Sequence, residues 1–198
     1  MKIYHITGGK IAEKYNYAAY LKALDGDRSK IRIVDSSADG GFNIWQNTVD
    51  AGRHILPDHV PTKVQLGGPL GSLLDAYPLY DSTMAVSDKF KSIIEEVESG
   101  VHQFFPLDVY RAGKLLGKLH WMIIGQRLDT IHDSQPRTLK GFPLWVDGKM
   151  NFDLKKIGSS KLWTDKFAGA NNITEDLAER FVSAGLTGIK FNSPQDAI

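Results

Sequence analysis

The sequence predicts an α+β fold, a mostly antiparallel sheet with two similar helix-to-strand units packed on it. Three observations carry that expectation. The stretch VSDKFKSIIEEVESGVHQF (Val86 to Phe104) reads like ITEDLAERFVSAGLTGIKF (Ile173 to Phe191) at a constant offset of 87 residues, pairing Ser87 with Thr174, Phe90 with Leu177 and Ile94 with Phe181. Each copy has a capping hydroxyl, an acidic first turn, apolar residues at helical spacing, a glycine and then strand-forming residues. Between them lie strand-like runs joined by short turn signals at Ala112-Gly113-Lys114 and Asp147-Gly148.

In chain order, Met1 to Ile6 is rich in strand formers and stops at Gly8-Gly9, so it reads as the first strand. Ile11, Tyr15, Ala18, Ala19 and Leu21 suggest a helix over 10–24, with Tyr17 and Tyr20 blurring the period. DGDRS is a turn, and Lys30 to Val34 alternates charged and apolar residues as a half-buried strand does. From Asp35 to Tyr80 regularity is lost among Pro57, Pro61, Pro69, Pro78 and two aromatic islands, Phe42 to Trp45 and Tyr77 to Tyr80. Such irregular stretches tend to carry binding.

A helix is expected over Ser87 to Val97, with Phe90, Ile93, Ile94 and Val97 on one face and Gly100 ending it. Val101 to Tyr110 and Lys118 to Leu128 then form a hairpin. Phe142 to Val146 and Met150 to Leu154 flank the Asp147-Gly148 turn, and Leu162 to Phe167 is a further strand. Thr174 caps the last helix, Leu177, Ala178, Phe181 and Ala184 are its buried face, and Gly185 stands where a left-handed cap belongs. Trp121, Trp145 and Trp163 lie among strand residues and are expected in the core; Trp45 is the tryptophan expected at the surface.

Composition narrows the function classes. The 198 residues, 42% hydrophobic and 24% charged, suit one globular domain. Twenty-four basic against 23 acidic residues leave a net +1, which argues against general attraction to nucleic acid or an anionic membrane. The absence of cysteine excludes disulfides, thiolate metal sites and a cysteine nucleophile. The first residues lack the apolar run of a secretory signal and no segment has the roughly 20 apolar residues of a membrane span, so a cytoplasmic protein is expected.

No pattern nominates a reaction. His54 and His59 are five apart with Pro57 between them, which does not align two metal ligands on a helix; no metal and no cofactor is expected. TGGK at 7–10 and LGGPLGSLL at 66–74 match neither phosphate-loop pattern, and Pro69 removes an amide that a cradle would need. Glu95, Glu96 and Glu98 are expected on the solvated face of their helix. There is no G-x-S-x-G elbow, and the chain is not expected to be an enzyme.

Several segments together, VSDKFKSII at 86–94, FFP at 104–106, LWVD at 144–147, KLWTD at 161–165 and the closing ITEDLAERFVSAGLTGIKF, carry a resemblance. Over roughly residues 77–194 the chain resembles a bacterial family of polymorphic-toxin immunity proteins named for a myxobacterial immunity domain, formerly a domain of unknown function. The resemblance divides the single domain into a variable part, 1–80, and a family-like core, 81–198, in which the offset of 87 fits either an internal duplication or the shared pattern of a capped helix running into a strand. It implies no catalytic residues. It implies a cognate toxin domain as the partner, neutralised by occlusion; no nucleic-acid or membrane partner is expected from the charge balance. Toxin contacts are then expected in the irregular segment, at Phe42, Trp45, Asp50, Arg53 and Asp58. The competing reading, an enzyme or small-ligand binder, expects a pocket where His54, His59 or Asp58 converge.

Overall fold

Alternation along 103–123 builds the longest hairpin. In the computed structural model, which describes residues 1–8, 21–24, 60–67, 72–79, 83–139, 143–146, 149–167, 171–192 and 195–196, strand β6 (Gln103–Arg111) pairs antiparallel with β7 (Lys114–Ile123). Leu107, Val109, Leu119, Trp121 and Ile123 point to one face, and Phe104 and Met122 to the other. The connection is a two-residue turn with Ala112 at φ 49° and Gly113 at φ 76°. Positive φ at both positions matches the right-handed twist of the paired strands.

Around this hairpin stands a six-stranded mixed sheet in the order β2 (Leu21–Leu24), β3 (Lys63–Leu66), β6, β7, β5 (Met84–Val86), β4 (Ala76–Pro78). The β3–β6 pair is parallel and the other neighbours are antiparallel. A second six-stranded mixed sheet has the order β11 (Ile189–Phe191), β1 (Lys2–Gly8), β10 (Asn171–Thr174), β9 (Leu162–Asp165), β8 (Arg127–Leu128), with β12 (Gln195–Asp196) also on β1. Here β8 and β9 are parallel. The class is α+β.

Helix α1 (Asp88–Val97) follows β5, and the Ser87 hydroxyl accepts from the Phe90 amide at 3.2 Å as its N-cap. Helix α3 (Glu175–Ser183) follows β10; α2 (Leu154–Ile157) is one turn capped by Asp153. Thr174 occupies the N-cap position of α3 without a side-chain hydrogen bond to the helix. At the other end Leu186 N–H reaches Phe181 O at 3.1 Å and Gly185 N–H reaches Val182 O at 2.9 Å, with Gly185 at φ 65°. That is a Schellman cap, and it releases the chain into β11.

The two helices meet face to face: the Phe90 and Phe181 rings are 4.5 Å apart between centroids. With Ile94, Leu177 and Ala178 they enter one apolar cluster that also takes Met84, Val86 and Met122 from the first sheet and Ile6, Leu162 and Ile173 from the second. Asp75 ties the same seam with polar groups. Its carboxylate accepts from the Ser87 hydroxyl (2.8 Å), the Thr187 amide (2.8 Å) and the Thr187 hydroxyl (2.9 Å), joining the cap of α1 to the turn before β11. Burial opposes ionisation of Asp75, but these hydrogen bonds prevail and hold its carboxyl below the usual value.

Four expectations need correction. Leu21–Leu24, the end of the expected helix over 10–24, is a strand on β3, because pairing outweighs a blurred helical period. The expected strand over 118–128 ends at Ile123; the chain then crosses to the other sheet, where β8 joins β9. Met150 to Leu154 is not a strand: Phe152 makes a single bridge with Ile131, and Asp153 starts α2. The strand expected to reach Phe167 stops at Asp165, whose carboxylate accepts from the Phe167 amide and turns the chain. The strand expected over 30–34 lies outside the described residues.

Candidate protein-binding surface

The five expected toxin contacts, Phe42, Trp45, Asp50, Arg53 and Asp58, lie outside the described residues, as do His54 and His59. Among the described residues, four hydrogen-bond donors converge on Glu98. It was expected on a solvated helix face, and the structure corrects this: the helix ends at Val97, and Glu98 turns inward to 7% exposure. One carboxylate oxygen accepts from the Lys161 amide (2.7 Å) and the Gln126 side chain (2.6 Å). The other accepts from the Leu162 amide (3.0 Å) and His102 Nε2 (2.9 Å).

His102 Nδ1 accepts from the Gly125 amide at 3.2 Å, which puts the ring proton on Nε2, facing the carboxylate. Burial works against ionisation of Glu98; the hydrogen bonds from His102, Lys161 and Gln126 outweigh it and hold the carboxyl below its ordinary value. Every acceptor site is engaged by the protein's own donors. The cluster therefore fastens α1 to β9 and to the crossing before β8, and it has no free lone pair to offer a substrate. Among the described residues no group of three or more His, Asp or Glu could hold a metal ion.

Four of the exposed large apolar side chains are Leu139, Leu144, Trp145 and Val146. Leu139 is fully exposed, and Leu144, Trp145 and Val146 are 44%, 51% and 46% exposed. The backbone of Leu144 and Val146 is held by hydrogen bonds. Buried Gln135 donates from Nε2 to Leu144 O and accepts from the Asn151 amide at 3.0 Å; Leu144 N–H reaches Pro136 O at 2.7 Å. Val146 and Lys149 exchange both backbone hydrogen bonds, at 3.0 and 2.8 Å, and Arg137 bridges Pro143. Large apolar side chains fixed outward in a group mark an interaction surface more often than chance exposure does.

Trp145, expected in the core, is thus a correction; Trp121 and Trp163 are buried as expected. The Trp145 ring meets His5 edge-on at 5.3 Å between centroids. His5 is buried, Nδ1 bonds the Asn172 side-chain oxygen, and Nε2 has no partner. Burial holds its pKa below the usual histidine value, against the opposing effects of Asn172 and Asp165. Trp145 was misplaced because Leu144-Trp145-Val146 lies between Pro143 and Asp147-Gly148, where an apolar triplet looks like a buried strand. Nothing in the triplet itself separated the two readings, since a continuous apolar run suits a strand covered on both faces as well as a displayed segment.

A concavity of about 330 Å³ lies between β1, β11 and α3 and is lined by Tyr4, Glu175, Ala178, Glu179, Val182 and Phe191 among others. Tyr4 and His5 alternate along β1, so this groove and Trp145 lie on opposite faces of their sheet. No helix among the described residues is long and apolar enough to cross a membrane.

Comparison with known proteins places the chain. No curated protein matches it. A model of the immunity protein family Imm11 matches residues 63–196, and the chain belongs to that family.

Proposed function

We propose that the chain is an immunity protein that binds a cognate bacterial toxin domain and neutralises it by occlusion, without catalysis, in the cytoplasm of the cell it protects. The observation that carries this reading is membership of the immunity protein family over residues 63–196. The saturated Glu98–His102 cluster is compatible with it, since the polar groups gathered there serve the scaffold.

Occlusion requires a protein–protein interface of about 1,600 Å² with a few anchors supplying most of the affinity. The irregular segment supplies anchor types at Phe42, Trp45, Asp50, Arg53 and Asp58, and these are the proposed contacts there. Nucleic acid and membrane are not proposed as partners, in keeping with the net charge of +1.

Co-expression tests the reading. The toxin domain encoded by the adjacent reading frame arrests growth when expressed alone, and expression of this chain alongside it restores growth and yields a co-purifying complex. Unrelieved killing with no complex overturns the proposal.

A further inference from the structure

We propose that His5 and Trp145 form a pH-sensitive latch, in which the indole covers the imidazole while it is neutral and swings away when the imidazole takes up a second proton. The latch is a property of this fold and is independent of the immunity reading.

The closed arrangement fixes where the protons are. His5 on β1 stands opposite Asn172 on β10, and its Nδ1 donates to Asn172 Oδ1, an atom that can only accept. The one proton of the neutral ring is therefore on Nδ1, and Nε2 is a bare acceptor, buried without a partner. The rings of Trp145 and Phe152 stand edge-on to the imidazole, at 5.3 and 6.1 Å between centroids. Adding a proton at Nε2 puts a charged donor where nothing accepts from it. Burying a charge unpaired is among the costliest arrangements a protein can hold, so something beside the ring must move.

Burial decides which neighbour yields. Asn172 and Phe152 are fully buried, whereas Trp145 is half exposed and lies outside the named strands. Displacing Trp145 disturbs the least packing and lets water reach Nε2. Asp165, on β9, is the charged group that acts on His5, and it is buried too. Its carboxylate already accepts from the Thr130 amide, the Thr130 hydroxyl and the Phe167 amide, so it cannot turn to Nε2 without abandoning those donors. Its attraction and the Asn172 hydrogen bond favour the proton, but burial opposes it and prevails.

The sign with pH follows. With Trp145 displaced, His5 meets water and titrates near its ordinary 6.5; with Trp145 in place it titrates lower. Opening is therefore favoured as pH falls below about 6.5, and its equilibrium constant rises by up to about tenfold between pH 7.5 and 5.5.

The test follows both partners by NMR in the full chain. The His5 ring resonance, identified by its loss in His5→Asn, titrates below 6.5 in the wild type, and its midpoint rises toward 6.5 in Trp145→Ala. A midpoint left at the wild-type value in Trp145→Ala overturns the latch. In chain labelled with 5-fluorotryptophan, the fluorine resonance of Trp145 moves with the same midpoint as His5, while those of buried Trp121 and Trp163 stay in place. In His5→Asn the Trp145 resonance no longer moves over that range. A Trp145 resonance that ignores the protonation of His5, or that moves equally in His5→Asn, overturns the proposal; so does movement of all the tryptophans together, which would mean that protonation unfolds the chain. Should Trp145→Ala fail to fold, Trp145→Phe supplies the fluorine assignment and the comparison with His5→Asn decides.

Discussion

At the scale of single residues, Glu98 shows how one carboxylate can replace a stretch of secondary structure. It receives four donors, two from the backbone just before and within β9 and two from side chains, so any replacement leaves several buried donors without acceptors. Glu98→Gln puts an NH₂ against donors and costs about 3 kcal/mol or more in a denaturant titration. The sign with pH follows from the direction of the shift. The folded pKa lies below the ordinary carboxyl value of 4.5, so this stabilisation is complete above about that pH and is lost as pH falls through the folded value.

His5 behaves in the same sense through a different cause. Its pKa is lowered from 6.5 by burial, so the unfolded chain takes up a proton before the folded chain does, and stability declines as pH drops below about 6.5. His5→Asn preserves a partner for Asn172 and removes the titration. Thermal melts at pH 7.5 and 5.5 therefore differ less for this variant than for the wild type; an equal difference would sink the assignment.

At the scale of elements, the hairpin and the ends of α3 separate strain from crowding. Ala112 holds a left-handed conformation, at φ 49°, that its side chain disfavours by roughly 1 kcal/mol. Ala112→Asn suits the turn and raises stability by about 0.5 kcal/mol or more, read from the denaturation midpoint. Gly185 and Gly188 both have positive φ, but a Cβ on Gly185 meets open space, whereas one on Gly188 falls 2.2 Å from the Ala76 carbonyl oxygen. Gly185→Ala therefore costs about 1 kcal/mol, and Gly188→Ala costs several-fold more because backbone must move.

Elements with both a cap and a period were legible in the sequence. Asp88–Val97 and Glu175–Ser183 are helices where Ser87, Thr174 and Gly185 announce them, and the β6–β7 turn falls at Ala112-Gly113. What stayed hidden depends on distant partners. The strand at Leu21–Leu24 exists through β3, and the crossing at Gly125-Gln126 exists through His102 and Glu98, which local pattern does not contain. Of the surface, the Leu144–Val146 triplet was visible as composition but not as exposure, since apolar runs look alike whether they are covered or displayed.

At the scale of the whole molecule, the pieces are interlocked. The Phe90–Phe181 contact and the apolar cluster around it draw on both sheets, Asp75 joins the cap of α1 to the turn before β11, and Glu98 joins the end of α1 to β9. We propose one folding unit. Urea unfolding followed by tryptophan fluorescence and by far-UV circular dichroism gives coincident transitions; separated midpoints would show the sheets unfolding independently.

The central claim is that this member of the Imm11 family stops a toxin by holding it. Titrating the purified chain into an activity assay of the toxin domain from the adjacent reading frame tests this most directly. The account predicts that activity falls linearly to an endpoint at one chain per toxin, and that denaturing and separating the complex returns chemically unaltered, active toxin. Full toxin activity in excess chain, or inactivation by far less than one equivalent, would contradict it.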